Sequence, residues 1–281
     1  MRKKFIAIFF AAILIAVASF FIFKNKNHPD TPPDNPPPDA PKNISYSILT
    51  TYPHDTSSFT QGLVIYKGEL YEGTGEYRKS KLAKVDLKTG KALMSVDINS
   101  SKPPQTKEED LYFGEGITIL NDTIYQLTWK NKVVFVYTVK DFKKVKEFPI
   151  TTEGWGITTN GKELIVSDGT SNLYYYNPSN FQLLRTQSVT ESGSLSHNLN
   201  ELEYIDGFIY ANQWQYPYIL KIDPASGKIV GKADFNEVWN RVRAKDPEAD
   251  VPNGIAYDAA TKKIYVTGKL WPDLYEIQFS Q

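Results

Sequence analysis

Cysteine is absent from this 281-residue chain, and there are only three histidines, His28, His54 and His197. Without cysteine there can be no disulfide, no thiolate nucleophile and no zinc site built on sulfur. So few histidines, one of them inside a proline-rich stretch near the N-terminus, argue against a His-rich metal centre. Net charge is also missing, since 32 basic and 32 acidic side chains cancel. The first 42 residues carry six of the basic and three of the acidic groups, so the remainder has no electrostatic footprint for nucleic acid. Aromatic side chains, by contrast, are plentiful: 18 Tyr, 15 Phe and 5 Trp make up 14% of the chain. Tyr and Trp join a large apolar body to a polar tip and suit strands and pockets.

Arg2, Lys3 and Lys4 precede an apolar run from Phe5 to Phe23, and Lys24 and Lys26 follow it. Its 19 residues are close to the roughly 20 needed to span a bilayer as a helix. The basic flank before the run favours a cytoplasmic N-terminus with the body of the chain outside. Ala16-Val17-Ala18 offers a small-residue cleavage site, but Phe20 to Phe23 continues the run past it, which favours an uncleaved anchor. Either way the domain is expected outside the cytoplasm, periplasmic or at the cell surface. Residues 1–26 are thus read as a signal anchor or signal peptide. Asn27 to Lys42, with seven prolines and three aspartates, reads as a stiff extended spacer.

From Asn43 a strand pair recurs five times. Gly62 to Tyr66 turns at Lys67-Gly68 into Leu70-Tyr71-Glu72, and Gly116 to Leu120 turns at Asn121-Asp122 into Ile124-Tyr125-Gln126. Gly156 to Thr159 turns at Asn160-Gly161 into Leu164-Ile165-Val166, and Leu202 to Ile205 turns at Asp206-Gly207 into Ile209-Tyr210-Ala211. Gly254 to Tyr257 takes a longer turn, through Asp258 to Lys262, into Ile264-Tyr265-Val266. Asn-Gly and Asp-Gly between alternating apolar runs are strong hairpin signals. A third strand follows each pair, clearest in the near copies Val85 to Gly90 and Ile222 to Gly227. Five units of about 48 residues fit an all-β, five-bladed β-propeller over residues 43–281, with a β-sandwich as the weaker alternative. The last unit runs out of chain after three strands, and Ile44 to Thr51 is expected to supply its outer strand and protect the sheet edge. Asn236 to Lys245 reads as a short inserted helix with Val238, Trp239 and Val242 on one face.

In a propeller the first strand of each blade lines the channel and the second runs back, so the start of one and the end of the other share one channel mouth. Gln61, Glu115, Trp155, Asn200 and Asn253 precede the five inner strands. Thr74, Trp129, Asp168, Trp214 and Lys269 close the second strands, with Trp271 nearby and Phe59, Phe113 and Glu201 flanking the inner strands. Polar channel residues alone are commonly just solvated. Tryptophans clustered with converging polar groups instead describe a pocket.

Phe59-Thr60-Gln61-Gly62-Leu63 and Tyr71-Glu72-Gly73-Thr74-Gly75 resemble the opening of the plant-type and bacterial glutamine cyclotransferases. So do Phe113 to Thr118, Gln126 to Trp129, Glu153-Gly154-Trp155-Gly156, Leu199 to Glu203, Ala211 to Trp214, Asn253 to Tyr257 and Thr267 to Pro272, in the family's order. The chain departs from the pattern at Gly73, where Ser is usual, and at Arg78-Lys79, where a Gly is common. The resemblance implies a five-bladed propeller that closes an N-terminal glutamine of a peptide into pyroglutamate and releases ammonia. It implies no required cofactor, although a structural cation in the channel is compatible with it. The partners implied are peptide or protein N-termini bearing Gln; the chain itself is read as a monomer, in contact with the membrane only through its N-terminal apolar run.

On that reading Glu115 is the general acid and base, and burial among Phe113, Trp129 and Trp155 would raise its pKa. Lys269 would donate to the developing oxyanion, with Gln61 and Asn200 orienting amine and amide. Phe59, Phe113, Trp129, Trp155, Trp214 and Glu201 would hold the substrate. Lys269 could instead pair with Glu201 or Asp168, and Glu115 could be satisfied by channel water. Two other functions remain open: a non-catalytic propeller that binds envelope peptides or partner proteins, and a calcium-dependent lactonase-like propeller. The latter needs several carboxylates in the channel, and only Glu115 stands among the five inner positions.

Overall fold

The structure is a computed structural model that describes residues 39–280. The apolar run and most of the proline-rich spacer lie outside the described residues. Among the described residues no helix is long and apolar enough to cross a membrane.

After β1 (Lys42–Asn43) and β2 (Tyr46–Pro53), five antiparallel sheets follow one another around a central channel. Blade one is β3 (Thr60–Tyr66), β4 (Glu69–Thr74), β5 (Lys81–Val85) and β6 (Ala92–Asp97). Blade two is β7 (Gly114–Leu120), β8 (Thr123–Thr128), β9 (Val133–Thr138) and β10 (Lys144–Pro149). Blade three is β11 (Ile157–Thr159), β12 (Leu164–Ser167), β13 (Asn172–Tyr176) and β14 (Leu183–Ser188). A small hairpin, β15 (Thr190–Glu191) with β16 (Ser194–Leu195), then leads to blade four: β17 (Leu199–Ile205), β18 (Phe208–Gln213), β19 (Tyr218–Ile222) and β20 (Ile229–Asp234). The helix α1 (Asn236–Lys245) precedes blade five, β21 (Pro252–Asp258), β22 (Lys263–Gly268) and β23 (Asp273–Phe279).

The hairpin turns obey the sequence signals. Lys67-Gly68, Asn121-Asp122 and Asp206-Gly207 all take positive φ at both central residues, the two-residue geometry whose twist matches that of the flanking strands. The fifth sheet gains its outer strand from β2, which pairs antiparallel with β23 from Tyr46↔Phe279 to Pro53↔Asp273, so the ring closes with the start of the domain laid on its end. A parallel pairing of β1 with β20 was not anticipated; it covers the outer edge of blade four. Val238 and Val242 of α1 are buried, and Trp239 packs against the same cluster.

Five apolar clusters correspond to the five junctions between blades. Ile117 and Ile124 meet Val64 and Leu82 between blades one and two, while Leu127 and Val134 meet Ile157 and Leu164 between two and three. Ile165 and Leu173 meet Leu202 and Ile209, Ile205 and Ile219 meet Ile255 and Val266, and Ala256 and Leu274 meet Leu63 and Leu70. Each of the Leu, Ile and Val side chains contributes about 1.5–3 kcal/mol on full burial, so packing between blades is a large part of what holds the ring.

Candidate active site

Four of the five inner strands carry a β-bulge at their start. Between Thr60 and Gly62, Gly114 and Ile117, Leu199 and Leu202, and Pro252 and Ile255, the inner strand spends one residue more than its partner. A bulge breaks strict alternation and re-aims side chains. Gln61, Glu115, Asn200 and Asn253 sit within these bulges, so each turns away from the sheet faces that pack the blades.

The inner strands come unusually close there. A Cβ on Gly116 would lie 2.7 Å from the Trp155 carbonyl oxygen, and one on Gly156 would lie 2.0 Å from that of Asn200, so only glycine fits. Hydrogen bonds tie every junction at this end. Gly114 N–H donates to Ser80 Oγ (2.9 Å), Gly116 N–H to the Trp155 carbonyl (2.8 Å) and Ser167 Oγ–H to the Asn200 carbonyl (2.7 Å). Gly254 N–H donates to Asn212 Oδ1 (2.9 Å) and Asn253 Nδ2 to the Thr60 carbonyl (2.9 Å). Residues just past the second strands are fixed equally firmly: the N–H groups of Trp129, Trp214 and Lys269 donate to the carbonyls of Phe113, Asn198 and Val251.

Together these residues enclose a cavity of about 240 Å³ lined by Phe59, Gln61, Phe113, Glu115, Trp129, Trp155, Asn200, Trp214, Asp250 and Lys269. The volume lies below the roughly 300–1,000 Å³ of sites for drug-sized ligands and suits a single side chain. Edge-to-face contacts run through its wall, from Phe59 to Phe113 (6.1 Å between centroids), Phe113 to Trp129 (5.5 Å) and Trp155 to Trp214 (5.5 Å). The Lys269 ammonium sits 4.6 Å from the centre of the Phe59 ring.

Glu115 and Lys269 are each only 4% exposed, and among the described residues neither side chain has a hydrogen-bond or ion-pair partner within the protein. Burial pushes the Glu115 carboxyl well above its ordinary pKa; the Lys269 charge opposes this and Glu153 adds to it. Burial likewise pushes the Lys269 ammonium down, against the charges of Glu115 and Asp250. The amide oxygen of Asn200 is also buried without a partner. The pocket therefore holds a buried carboxyl with raised proton affinity, a buried lysine set against the Phe59 ring and an unpaired amide acceptor.

Three expectations need restating. Glu201 does not line this cavity: its carboxylate lies in the channel, accepting from Leu63 N–H (3.3 Å) and Ile255 N–H (2.9 Å) and bridging blades four, one and five. Glu203 beneath it accepts from Tyr257 N–H and Thr158 Oγ–H, and burial pushes it up to about 8. Asp168 is occupied by Thr170 and Tyr174, so neither acid suggested as an ion-pair partner engages Lys269. Trp271, expected near the mouth, is fully buried in the core of blade five, where its indole N–H donates to the Asp250 carbonyl. Two residues without a prior role border the site. Asp250 lies at its rim, and Glu153 accepts from the indoles of both Trp129 and Trp155. The two departures from the family pattern lie in blade one, on β4 and in the connection from β4 to β5. A Cβ on Gly73 would come within 2.6 Å of Ile117, and Arg78, at φ 66°, uses its guanidinium to tie the carbonyls of Pro104 and Thr106.

Comparison with known proteins agrees with this architecture. The family model described as glutamine cyclotransferase matches residues 14–279. A glutaminyl-peptide cyclotransferase from Arabidopsis thaliana is 36% identical over 284 aligned positions, covering all of this chain and 85% of the plant protein. The crystal structure of Myxococcus xanthus glutaminyl cyclase superposes with a TM-score of 0.77 at 32% identity, covering 85% of this chain and 98% of that one. The chain belongs to the glutamine cyclotransferase family.

Proposed function

We propose that this member of the glutamine cyclotransferase family converts the N-terminal glutamine of peptides to pyroglutamate, with Glu115 as the general acid and base. The observation that carries the reading is a buried carboxyl with raised proton affinity and no protein hydrogen bond, facing an aromatic cavity sized for one side chain.

The chemistry asks for little more. The neutral α-amine attacks the side-chain amide carbon, forming the new C–N bond and placing negative charge on the amide oxygen. The ionised Glu115 takes the surplus proton from the attacking nitrogen and, as the acid, returns it to the departing nitrogen. The old C–N bond breaks, ammonia leaves and the carboxylate is restored. A carboxyl whose pKa is raised by burial suits both directions of transfer. Lys269 supplies charge to the oxyanion, and Gln61 and Asn200 orient the reacting groups. Phe59, Phe113, Trp129, Trp155 and Trp214 wrap the glutamine stem, exclude water and hold amine and carbonyl together.

No step calls for a metal or organic cofactor, because proton transfer and charge stabilisation are assigned to side chains. The basic-flanked apolar run supports an anchored, extracytoplasmic enzyme, which cell fractionation would test. The test of the reaction is ammonia release from a Gln-initiated peptide by the purified full-length protein. Release is expected with Gln first and none with Gln second. Failure on every Gln-initiated peptide would leave a non-catalytic peptide-binding propeller as the reading.

A further inference from the structure

We propose that Glu153 is a positioning residue, holding Trp129 and Trp155 together through one carboxylate oxygen and so setting the shape of the pocket that receives the terminal side chain. Its Oε2 accepts from Trp129 Nε1 at 2.7 Å and from Trp155 Nε1 at 3.1 Å. The two rings come from different blades, Trp129 from just past β8 and Trp155 from just before β11. On one side Trp129 continues through Phe113 to Phe59, and on the other Trp155 meets Trp214. Glu153 is the polar joint between these two halves of the aromatic wall.

The joint is well braced. An indole N–H can only donate, and donation to a carboxylate is stronger than donation to a neutral acceptor. Gly154, the next residue, presses on blade two so closely that a Cβ would lie 2.8 Å from Leu127 Cβ. Behind Trp155, a Cβ on Gly169 would lie 2.6 Å from the indole ring. The loop and the ring therefore have little freedom apart from that bond. Glu153 also reaches Glu115 electrostatically, adding to the effect of burial on that carboxyl. One side chain thus shapes the pocket and tunes its acid.

The catalytic consequence rests on the cyclotransferase reading; the geometry does not. The experiment compares full-length wild type with Glu153→Ala and Glu153→Gln, reading thermal stability, near-UV circular dichroism of the tryptophans and the pH profile of kcat/KM with a Gln-initiated peptide. Glu153→Ala is expected to change the near-UV spectrum and to lower kcat/KM about 10- to 100-fold. Glu153→Gln retains a carbonyl acceptor and is expected to recover most of that loss. In both variants the limb of the profile that reports Glu115 moves to lower pH, because the neighbouring negative charge is gone; a merely structural role would not move it in the Gln variant. A wild-type spectrum and wild-type kcat/KM in Glu153→Ala would overturn the proposal, as would a Gln variant as damaged as Ala with its limb unmoved. If wild type itself releases no ammonia, the cyclotransferase reading fails, and the spectrum alone decides: unchanged in Glu153→Ala, it overturns the joint.

Discussion

Glu72 on β4 and Glu115 on β7 are almost equally hidden, at 2% and 4% exposure, yet their surroundings differ completely. Glu72 accepts from His54 Nε2 (3.0 Å), Ser58 Oγ (3.1 Å) and Thr60 Oγ1 (2.7 Å). His54 in turn places Nδ1 2.7 Å from the Trp271 carbonyl. Both ring nitrogens face acceptors, so the protonated imidazole can donate from each and form an ion pair with Glu72. Burial alone would raise the Glu72 pKa, but the charge and hydrogen bonds of His54 and the bond from Thr60 bring it below the ordinary value. Burial alone would lower His54, and Glu72 overcomes that. Glu115, with no such donors, goes the other way. Depth of burial is thus shared, and a buried cation in contact sets the two apart, since Glu203 accepts from neutral donors alone and is still pushed up to about 8. The Glu72 cluster joins blade one to the Trp271 turn of blade five, where the ring closes.

The contrast can be broken from the Glu115 side first. Glu115→Gln should lower kcat for ammonia release by about 10²–10⁴-fold while leaving the folded content by circular dichroism intact. An unchanged rate would remove the assigned proton shuttle even if the activity stood. Lys269→Met should cost about 10²–10³-fold in kcat, measured with the same peptide. From the other side, Glu72→Gln should lower unfolding free energy by about 3–5 kcal/mol, because a buried cation is left unpaired. Its kcat, at temperatures where it remains folded, should stay near wild type; a large kcat loss there would erase the distinction between the two glutamates.

The pH dependence of stability sharpens the comparison, because the signs oppose. His54 has a raised folded pKa, so its contribution is fully present below its unfolded value near 6.5 and is lost as pH rises through the folded value. Glu72 has a lowered folded pKa, so its contribution is present above about 4.5 and is lost as pH falls through the folded value. Glu115 has a raised folded pKa, so its contribution is fully present below about 4.5 and is lost as pH rises through the folded value. Glu115→Gln should therefore melt higher than wild type at neutral pH, with the difference vanishing in acid. Tm against pH for wild type, Glu115→Gln and His54→Gln reads all three. The smallest expected effect is that of a strong chelator, which should leave ammonia release unchanged if the side chains carry the chemistry.

Much of this was legible in the residues. Asp206-Gly207 and its counterparts announced the hairpins because two-residue turns with positive φ have narrow residue requirements. Once the hairpins were aligned, Gln61, Glu115, Asn200 and Lys269 fell at one channel mouth, and the structure gathers them into one cavity. What could not be read was the choice between Asn200 and Glu201. They are adjacent and both polar, and the bulge between Leu199 and Leu202 breaks the alternation that would assign each to a side. Asn200 lines the cavity and Glu201 goes into the channel. Trp271 misled for a related reason: proximity in sequence to Lys269 said nothing of which way the Gly268 turn would send the indole. Glu153 stands in one of the family motifs, but no role could be read for it, because its importance lies in two indoles brought from separate blades.

The sequence by itself determined the five-fold repeat, the closing outer strand, the inserted helix and the mouth at which unusual residues collect. Periodicity and turn chemistry are local properties, and a repeated local pattern has few ways to bury its faces. Only the tertiary structure decided which of those residues face the cavity, which carboxyl is left without donors and what braces the tryptophans. Those outcomes depend on distances of a few ångströms between blades that are far apart in the chain, and on one extra residue in each bulge.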